Sequence, residues 1–289
     1  MNKLKQGIDS EELLIISRPL WWIFTAQPFF LIYVILSDAV DLRVIIGTLF
    51  LLFPYNLAMY GINDIFDYES DIRNPRKTSV LPKSKHQSLW MWIGLINVPF
   101  IGYLFYTGNL QSNLWFGLML FMVVAYSLNG LRFKEIPLLD SVTSSFHYTS
   151  PVMLALLLTN DAATYAPAFI AYFLWAMANH AFGAIQDIKP DREASIKSIA
   201  TQLEAKRTTS FVLTLYIGAA VISAWFYGMV GLVAAGLICM NIIGVARTVK
   251  HTADSTNPIF RNMWNVFIKT NYLAGMIMTI VLIVVKARL

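Results

Sequence analysis

Long runs of apolar residues, separated by short polar stretches, fill most of this chain of 289 residues. A helix needs about 20 apolar residues to cross a bilayer. Strands that cross a membrane alternate apolar and polar residues, whereas these runs are continuous. The pattern therefore predicts nine membrane-spanning helices. The predicted segments are residues 20–37, 43–63, 88–107, 112–128, 138–158, 163–186, 209–227, 229–248 and 264–285.

Composition agrees with a membrane protein. The chain is 57% hydrophobic and 13% charged, whereas soluble domains carry about 25% charged residues. Because the predicted spans use nearly all of the sequence, we expect a single integral-membrane domain over residues 1–289. Residues 1–19 are polar and are expected to form a cytoplasmic N-terminal segment.

The net charge of +5 is distributed in a way that argues against nucleic acid as a partner. Most Lys and Arg residues lie in short loops that follow every second predicted span. Such an asymmetry orients a membrane protein with its basic loops in the cytoplasm. We therefore expect a multi-pass protein of the cell membrane, with its N-terminus and the loops after spans two, four, six and eight in the cytoplasm.

Two clusters of acidic residues directly follow apolar runs. Ionisable groups near a membrane are costly and usually mark function. Each cluster contains side chains four residues apart, which on a helix form one stripe that drifts by roughly 40° per step. The spaced residues are Asn63, Asp67 and Asp71 in the first cluster, and Asp187 and Asp191 in the second.

Oxygen ligands of this kind suit Mg²⁺, which often shares its coordination shell with substrate phosphates. Basic residues accompany both clusters, so the expected ligand is an anion whose charge exceeds that of one metal ion. The alternative is that these are ordinary charged loops with Asp and Arg paired for structure. That alternative accounts for single basic residues better than for two regularly spaced acidic sets. The sequence therefore predicts a shared site for divalent metal and diphosphate.

The residue patterns resemble the UbiA superfamily of intramembrane prenyltransferases. The resemblance rests on the NDxxDxxxD pattern of residues 63–71, the DxxxD of residues 187–191, and Tyr126-Ser127 followed by Lys134. It implies an all-α fold of nine transmembrane helices around a central cavity, with Mg²⁺ as cofactor. The implied metal ligands are Asn63, Asp64, Asp67, Asp71, Asp187 and Asp191. The implied diphosphate-binding residues are Arg18, Arg76, Lys77, Tyr126, Lys134 and Arg192.

Within that superfamily, residues 54–77 and 131–135 are similar to the bacterial lycopene elongases. This resemblance implies transfer of a dimethylallyl group from dimethylallyl diphosphate to the ends of lycopene, within the membrane lipid. A terminal alkene of lycopene would attack the allylic cation, and the product cation would lose a proton or take up water. His147 is the first candidate proton acceptor and His180 the second, and a carotenoid cyclase is a candidate partner.

Two other functions remain open at this point. The first is a UbiA-type prenyltransferase with a quinone or other lipid acceptor, although Pro190 stands where many quinone enzymes have glycine. The second is a different class, a cation-coupled membrane carrier. Transporter sites usually lie near the bilayer midplane in broken helices. Both acidic clusters are instead predicted at cytoplasmic span ends, among basic residues, which disfavours a carrier.

Overall fold

The computed structural model describes residues 7–72 and 80–288, and the regular elements of that part are all helices. Three short 3₁₀ turns occur at Pro19–Trp21, Phe133–Glu135 and Val249–His251. The α-helices are α1 Ser10–Ile16, α2 Trp22–Ser37, α3 Leu42–Leu52, α4 Pro54–Phe66, α5 Tyr68–Asp71, α6 Lys83–Thr107, α7 Leu110–Ser127, α8 Leu139–Leu158, α9 Ala162–Ile185, α10 Ile188–Glu193, α11 Ile199–Phe226, α12 Gly228–Thr248 and α13 Pro258–Lys286.

Eight stretches of the described chain are helical, long and apolar enough to cross a membrane. They comprise α2 with its preceding turn, α3 together with α4, and helices α6, α7, α9, α11, α12 with its following turn, and α13. The remaining predicted segment, residues 138–158, is the helix α8, but it does not meet this criterion. Its first half is rich in polar residues, from Asp140 to Ser150. The all-helical fold is thus confirmed, while the count of nine spans is not.

Several helices extend well beyond their apolar runs. α6 begins at Lys83 rather than residue 88, α11 at Ile199 rather than 209, and α13 at Pro258 rather than 264. A helix can extend into polar residues because its hydrogen bonds join backbone atoms. Hydropathy detects only the apolar part of each helix. The start of α11 has its own signal, since Ser198 accepts a hydrogen bond from the backbone N–H of Thr201, as N-cap residues do.

The described chain divides into two compact units. The first contains the residues up to Arg132 together with Ser150–Asn160, and the second contains Phe133–Thr149 and the chain from Asp161 onward. The first acidic motif therefore belongs to the first unit and the second motif to the second. The expectation of a single membrane domain stays a prediction.

In the first unit, the break between α3 and α4 places the helix that carries the first acidic motif. Pro54 starts α4 and lacks the N–H that would continue α3. The last carbonyls of a helix have no intrahelical donors. Here the Asn56 Nδ2 donates to the carbonyl oxygens of Leu51 at 2.8 Å and Leu52 at 2.9 Å, and Thr25 Oγ1 also donates to Leu51 at 2.8 Å. Two fully buried side chains, Thr25 and Asn56, thus supply hydrogen bonds to the carbonyl groups at the break.

The core of the second unit is built around aromatic rings between α9, α11, α12 and α13. Phe182 and Phe267 are both 1% exposed, and their ring centroids lie 4.9 Å apart. Gly244 of α12 lets the Phe267 ring approach closely, since a Cβ atom there would stand 2.5 Å from it. This packing fixes α9, at whose end the second acidic motif begins.

Candidate active site

The first acidic motif lies where α4 ends and α5 follows. The Asp67 N–H donates to the Asn63 carbonyl at 2.9 Å, and the Asp71 N–H donates to the Asp67 carbonyl at 2.8 Å. Each spacing of four residues is therefore one helical turn, although Asp67 itself leaves regular helix geometry at φ −92, ψ 0. The one-turn spacing is thus present in the backbone hydrogen bonds, and the stripe of side chains stays a prediction.

The Asn63 amide is oriented by a neighbour from α7. Its Nδ2 donates to Ser127 Oγ at 3.0 Å, and Ser127 is 1% exposed. Because the nitrogen is engaged by the serine, the oxygen Oδ1 is the atom that Asn63 can offer a cation. Asn63 and the Tyr126-Ser127 pair, far apart in sequence, thus meet in this unit.

Arg18 lies against the same motif. It adopts φ 52 just before Pro19, and its Nη2 lies 3.1 Å from Asp64 Oδ1. Its guanidinium carbon also lies 4.2 Å from the centroid of the Tyr60 ring, within the range of a cation–π contact. The structure thus brings together a predicted diphosphate-binding residue and a predicted metal ligand.

Arg132 contacts the first acidic motif, although the sequence prediction of the site did not include this residue. Its Nη2 lies 3.5 Å from Asp67 Oδ1. The signal was present, because Arg132 is part of the basic segment 131–135 that carries the resemblance to the lycopene elongases. Its position beside a central carboxylate makes it a further candidate for neutralising an anionic ligand.

The second acidic motif follows α9 and occupies the short helix α10. The Asp191 N–H donates to the Asp187 carbonyl at 2.8 Å, so this pair is also one turn apart. Arg192, which was expected to bind diphosphate, pairs with Glu204 of α11 and donates to the Thr201 carbonyl at 3.1 Å. Both contacts described for Arg192 are thus with residues of α11.

Buried polar residues of α8 connect this helix to α9 and α11 within the second unit. Asp140, 1% exposed, accepts through Oδ2 from the Ile199 N–H at 2.8 Å and so supports the start of α11. Ser141 Oγ is hydrogen-bonded to His180 Nδ1 at 3.0 Å. His147, the first candidate proton acceptor, is 3% exposed on the same helix. Its chemical role stays a prediction.

The remaining predicted residues are placed as follows. Arg76 and Lys77 lie outside the described residues. Tyr126 is in the last turn of α7, and Lys134 is in the 3₁₀ turn Phe133–Glu135. Their assignment to diphosphate binding stays a prediction.

The oxygen atoms of both motifs suit Mg²⁺, but the protein alone would not complete the coordination shell of the ion. Over residues 7–72 and 80–288, no three side chains of Asp, Glu, His or Cys converge closely enough to hold a metal ion. Mg²⁺ characteristically uses one or two carboxylates together with waters and substrate phosphates. The arrangement of Asn63 Oδ1 with neighbouring carboxylates suits an ion that arrives bound to a diphosphate.

Comparison with known proteins places the chain in a family. The model of the UbiA prenyltransferase family matches residues 21–266, so the chain belongs to that family and is a multi-pass membrane protein. The chain is 41% identical over 286 residues to the lycopene elongase/hydratase of Corynebacterium glutamicum, covering 94% of this chain and 96% of that protein. It is 44% identical over 272 residues to the C(50) beta-cyclic carotenoids biosynthesis protein LbtBC of Dietzia sp. strain CQ4. That match covers 91% of this chain but only 62% of the relative's length.

A solved structure supports the fold. The UbiA homologue from Archaeoglobus fulgidus, bound to DMAPP and Mg²⁺, matches with a TM-score of 0.66 over 91% of this chain and 99% of that one. Sequence identity is 16%, so the likeness concerns the fold.

Proposed function

We propose that this prenyltransferase transfers the dimethylallyl group of dimethylallyl diphosphate to the ends of lycopene, giving longer carotenoids. The observation that carries the proposal is the 41% identity to a lycopene elongase/hydratase over nearly the full length of both chains. The paired acidic motifs support a diphosphate donor, and the apolar helices support an acceptor that is dissolved in the bilayer.

The metal ligands in this proposal are Asn63, Asp64, Asp67, Asp71, Asp187 and Asp191. Bound Mg²⁺ would supply positive charge against the leaving diphosphate oxygens. Carboxylates of both motifs would hold the donor's metal ions, and Asn63 would contribute the oxygen that its bond to Ser127 leaves available. Arg18, Arg76, Lys77, Lys134 and Arg192 neutralise diphosphate oxygens, and Tyr126 donates a hydrogen bond.

After the carbon–oxygen bond of the donor breaks, an alkene of lycopene is a suitable nucleophile because it needs no prior deprotonation. Addition leaves a tertiary cation on the product. His147 then accepts a proton from the adjacent carbon, or water adds to the cation. The buried position of His147 on α8 suits a proton acceptor that must be kept from bulk water.

The proposed location is the cell membrane, with the N-terminus and both acidic motifs on the cytoplasmic side. This orientation follows from the basic loops. A carotenoid cyclase that acts on the elongated product is a proposed partner.

Production of lycopene in a host without other carotenoids tests the function. When this chain is added, mass spectrometry should show pigments heavier than lycopene by one or two dimethylallyl units, with or without added water. An unchanged lycopene peak, with protein present in the membrane, would contradict the acceptor assignment and redirect the search to quinones.

Two substitutions test the acidic motifs in the same assay. Asp67→Asn and Asp187→Asn should each lower turnover by about 100-fold or more, because each removes a carboxylate that would hold the Mg²⁺ whose positive charge stabilises the leaving diphosphate. Both variants should accumulate in the membrane at wild-type levels. The matched control is Asp161→Asn, which changes an aspartate whose side chain makes no cap hydrogen bond at the start of α9. Wild-type turnover in either motif variant would refute the metal assignment for that residue.

A further inference from the structure

Glu204 has a backbone conformation that sets it apart from the rest of α11. Its φ of 62 and ψ of 164 interrupt the helix one turn after it begins. This region of φ/ψ space is essentially restricted to glycine, because a Cβ atom makes it sterically unfavourable. Glutamate at this position carries a conformational cost that glycine would avoid.

The side chain of Glu204 makes a specific contact that glycine would lose. The Nη2 of Arg192 donates to Glu204 Oε1 and to the Thr201 carbonyl oxygen. These two acceptors can use both hydrogens of that nitrogen. The contacts that the structure describes for Arg192 thus leave Nη1 and Nε as donors for another acceptor. Because the guanidinium is planar and rigid, fixing one nitrogen sets the direction of the others.

Stability does not explain this arrangement. The side chains of Arg192 and Glu204 are 49% and 59% exposed, and ion pairs at such positions contribute little to folding. A strained backbone together with a weak ion pair indicates a functional role for the carboxylate. Arg192 itself lies inside the second acidic motif, next to Asp191.

We propose that Glu204 is a positioning residue that holds the Arg192 guanidinium ready to receive the donor diphosphate. This inference rests on the proposed function, in which Arg192 binds diphosphate oxygens. Orienting the side chain in advance lowers the entropy lost when the anion binds. Planar bidentate recognition of phosphate is the task to which an oriented arginine is suited.

Three variants of the full-length protein in lipid nanodiscs separate positioning from structure. Glu204→Gln removes the charge and keeps the side-chain size. Glu204→Gly removes the carboxylate and relieves the backbone conformation. Glu193→Gln is the matched control, since it removes a neighbouring exposed carboxylate that is outside the pair. The probe is dimethylallyl thiolodiphosphate, a slowly reacting donor analogue, titrated calorimetrically with Mg²⁺ present.

Both Glu204 variants should weaken binding of the donor analogue about three- to tenfold, while the control binds like wild type. Glu204→Gly should also melt at a higher temperature, because glycine adopts this conformation without the cost. Higher stability combined with weaker donor binding is an outcome that a purely structural role does not produce. When the same nanodisc protein turns over lycopene and dimethylallyl diphosphate, KM for the donor should rise and KM for the acceptor should stay unchanged.

A double-mutant cycle with Arg192→Ala decides the mechanism. The double variant Arg192→Ala with Glu204→Gln should bind the analogue as Arg192→Ala alone does, because Glu204 acts through the arginine. If Glu204→Gln weakens binding further in that background, or has no effect in the wild type, the positioning role is overturned. If Arg192→Ala itself binds the analogue like wild type, the diphosphate role of Arg192 in the proposed function fails instead.

Discussion

Asn56 supports the start of the helix that carries the first motif. It donates to two carbonyls that the break at Pro54 leaves without helical partners. It lies two turns before Asn63 on the same helix, α4. Asn56, in the middle of an apolar segment, is therefore a hydrogen-bond donor for the backbone, and it supports the helix that carries Asn63 and the other proposed metal ligands of the first motif.

Replacing Asn56 by leucine should destabilise the protein by about 1–2 kcal/mol, because the Leu52 carbonyl loses its side-chain donor and the Leu51 carbonyl keeps only that of Thr25. The measurement is the midpoint of thermal unfolding in detergent. Asn97→Leu is the matched control, since Asn97 is also buried but donates to Ile93 within the continuous helix α6, where the backbone already supplies a donor. Equal losses in the two variants would contradict the role of the break.

Among the elements, α12 shows how close helix packing depends on residues without side chains. Gly244 faces the Phe267 ring of α13, and a Cβ atom at this position would approach that ring to 2.5 Å. Gly236, two turns earlier in the same helix, has nothing within 4 Å of such an atom. The two glycines look alike in sequence, and only the packing distinguishes them.

Gly244→Ala should therefore destabilise the protein by about 1–3 kcal/mol, as overpacking in a core does. Gly236→Ala should be neutral or slightly stabilising, because alanine has the higher helix propensity and meets no neighbour. Thermal unfolding of the two variants, measured in the same detergent, checks both expectations. An unaffected Gly244→Ala variant would show that the Phe267 ring moves aside without cost.

For the whole molecule, the sequence predicted the helical membrane fold and its family, since apolar runs and acidic motifs are both local patterns. It predicted the helix ends less well, because hydropathy does not detect the polar turns at which α6, α11 and α13 begin. The break at Pro54 was hidden inside one apolar run. The contact of Arg132 with Asp67 joins residues far apart in the chain, that of Arg192 with Glu204 joins two successive helices, and no local pattern encodes the positive φ of Glu204.

Whether the polar helix α8 crosses the membrane decides the predicted topology, and this leads to a test of the whole chain. If α6, α7, α8 and α9 all cross, the loops that carry the two acidic motifs lie on the same side of the membrane. If α8 did not cross, these loops would lie on opposite sides. The basic residues of both loops favour the cytoplasm, so we expect α8 to cross despite its polar residues.

Cysteine labelling measures this directly. The protein has one cysteine, so a Cys239→Ser background gives a chain without thiols. Single cysteines at the exposed positions Ser84, in the first turn of α6, and Ser195, after α10, should react with a membrane-impermeant maleimide in inverted vesicles but not in intact cells. A cysteine at Ala39, between α2 and α3, should show the reverse. Labelling of Ser195→Cys from outside intact cells, with Ser84→Cys protected, would mean that α8 does not cross and that the two motifs lie on opposite sides of the membrane.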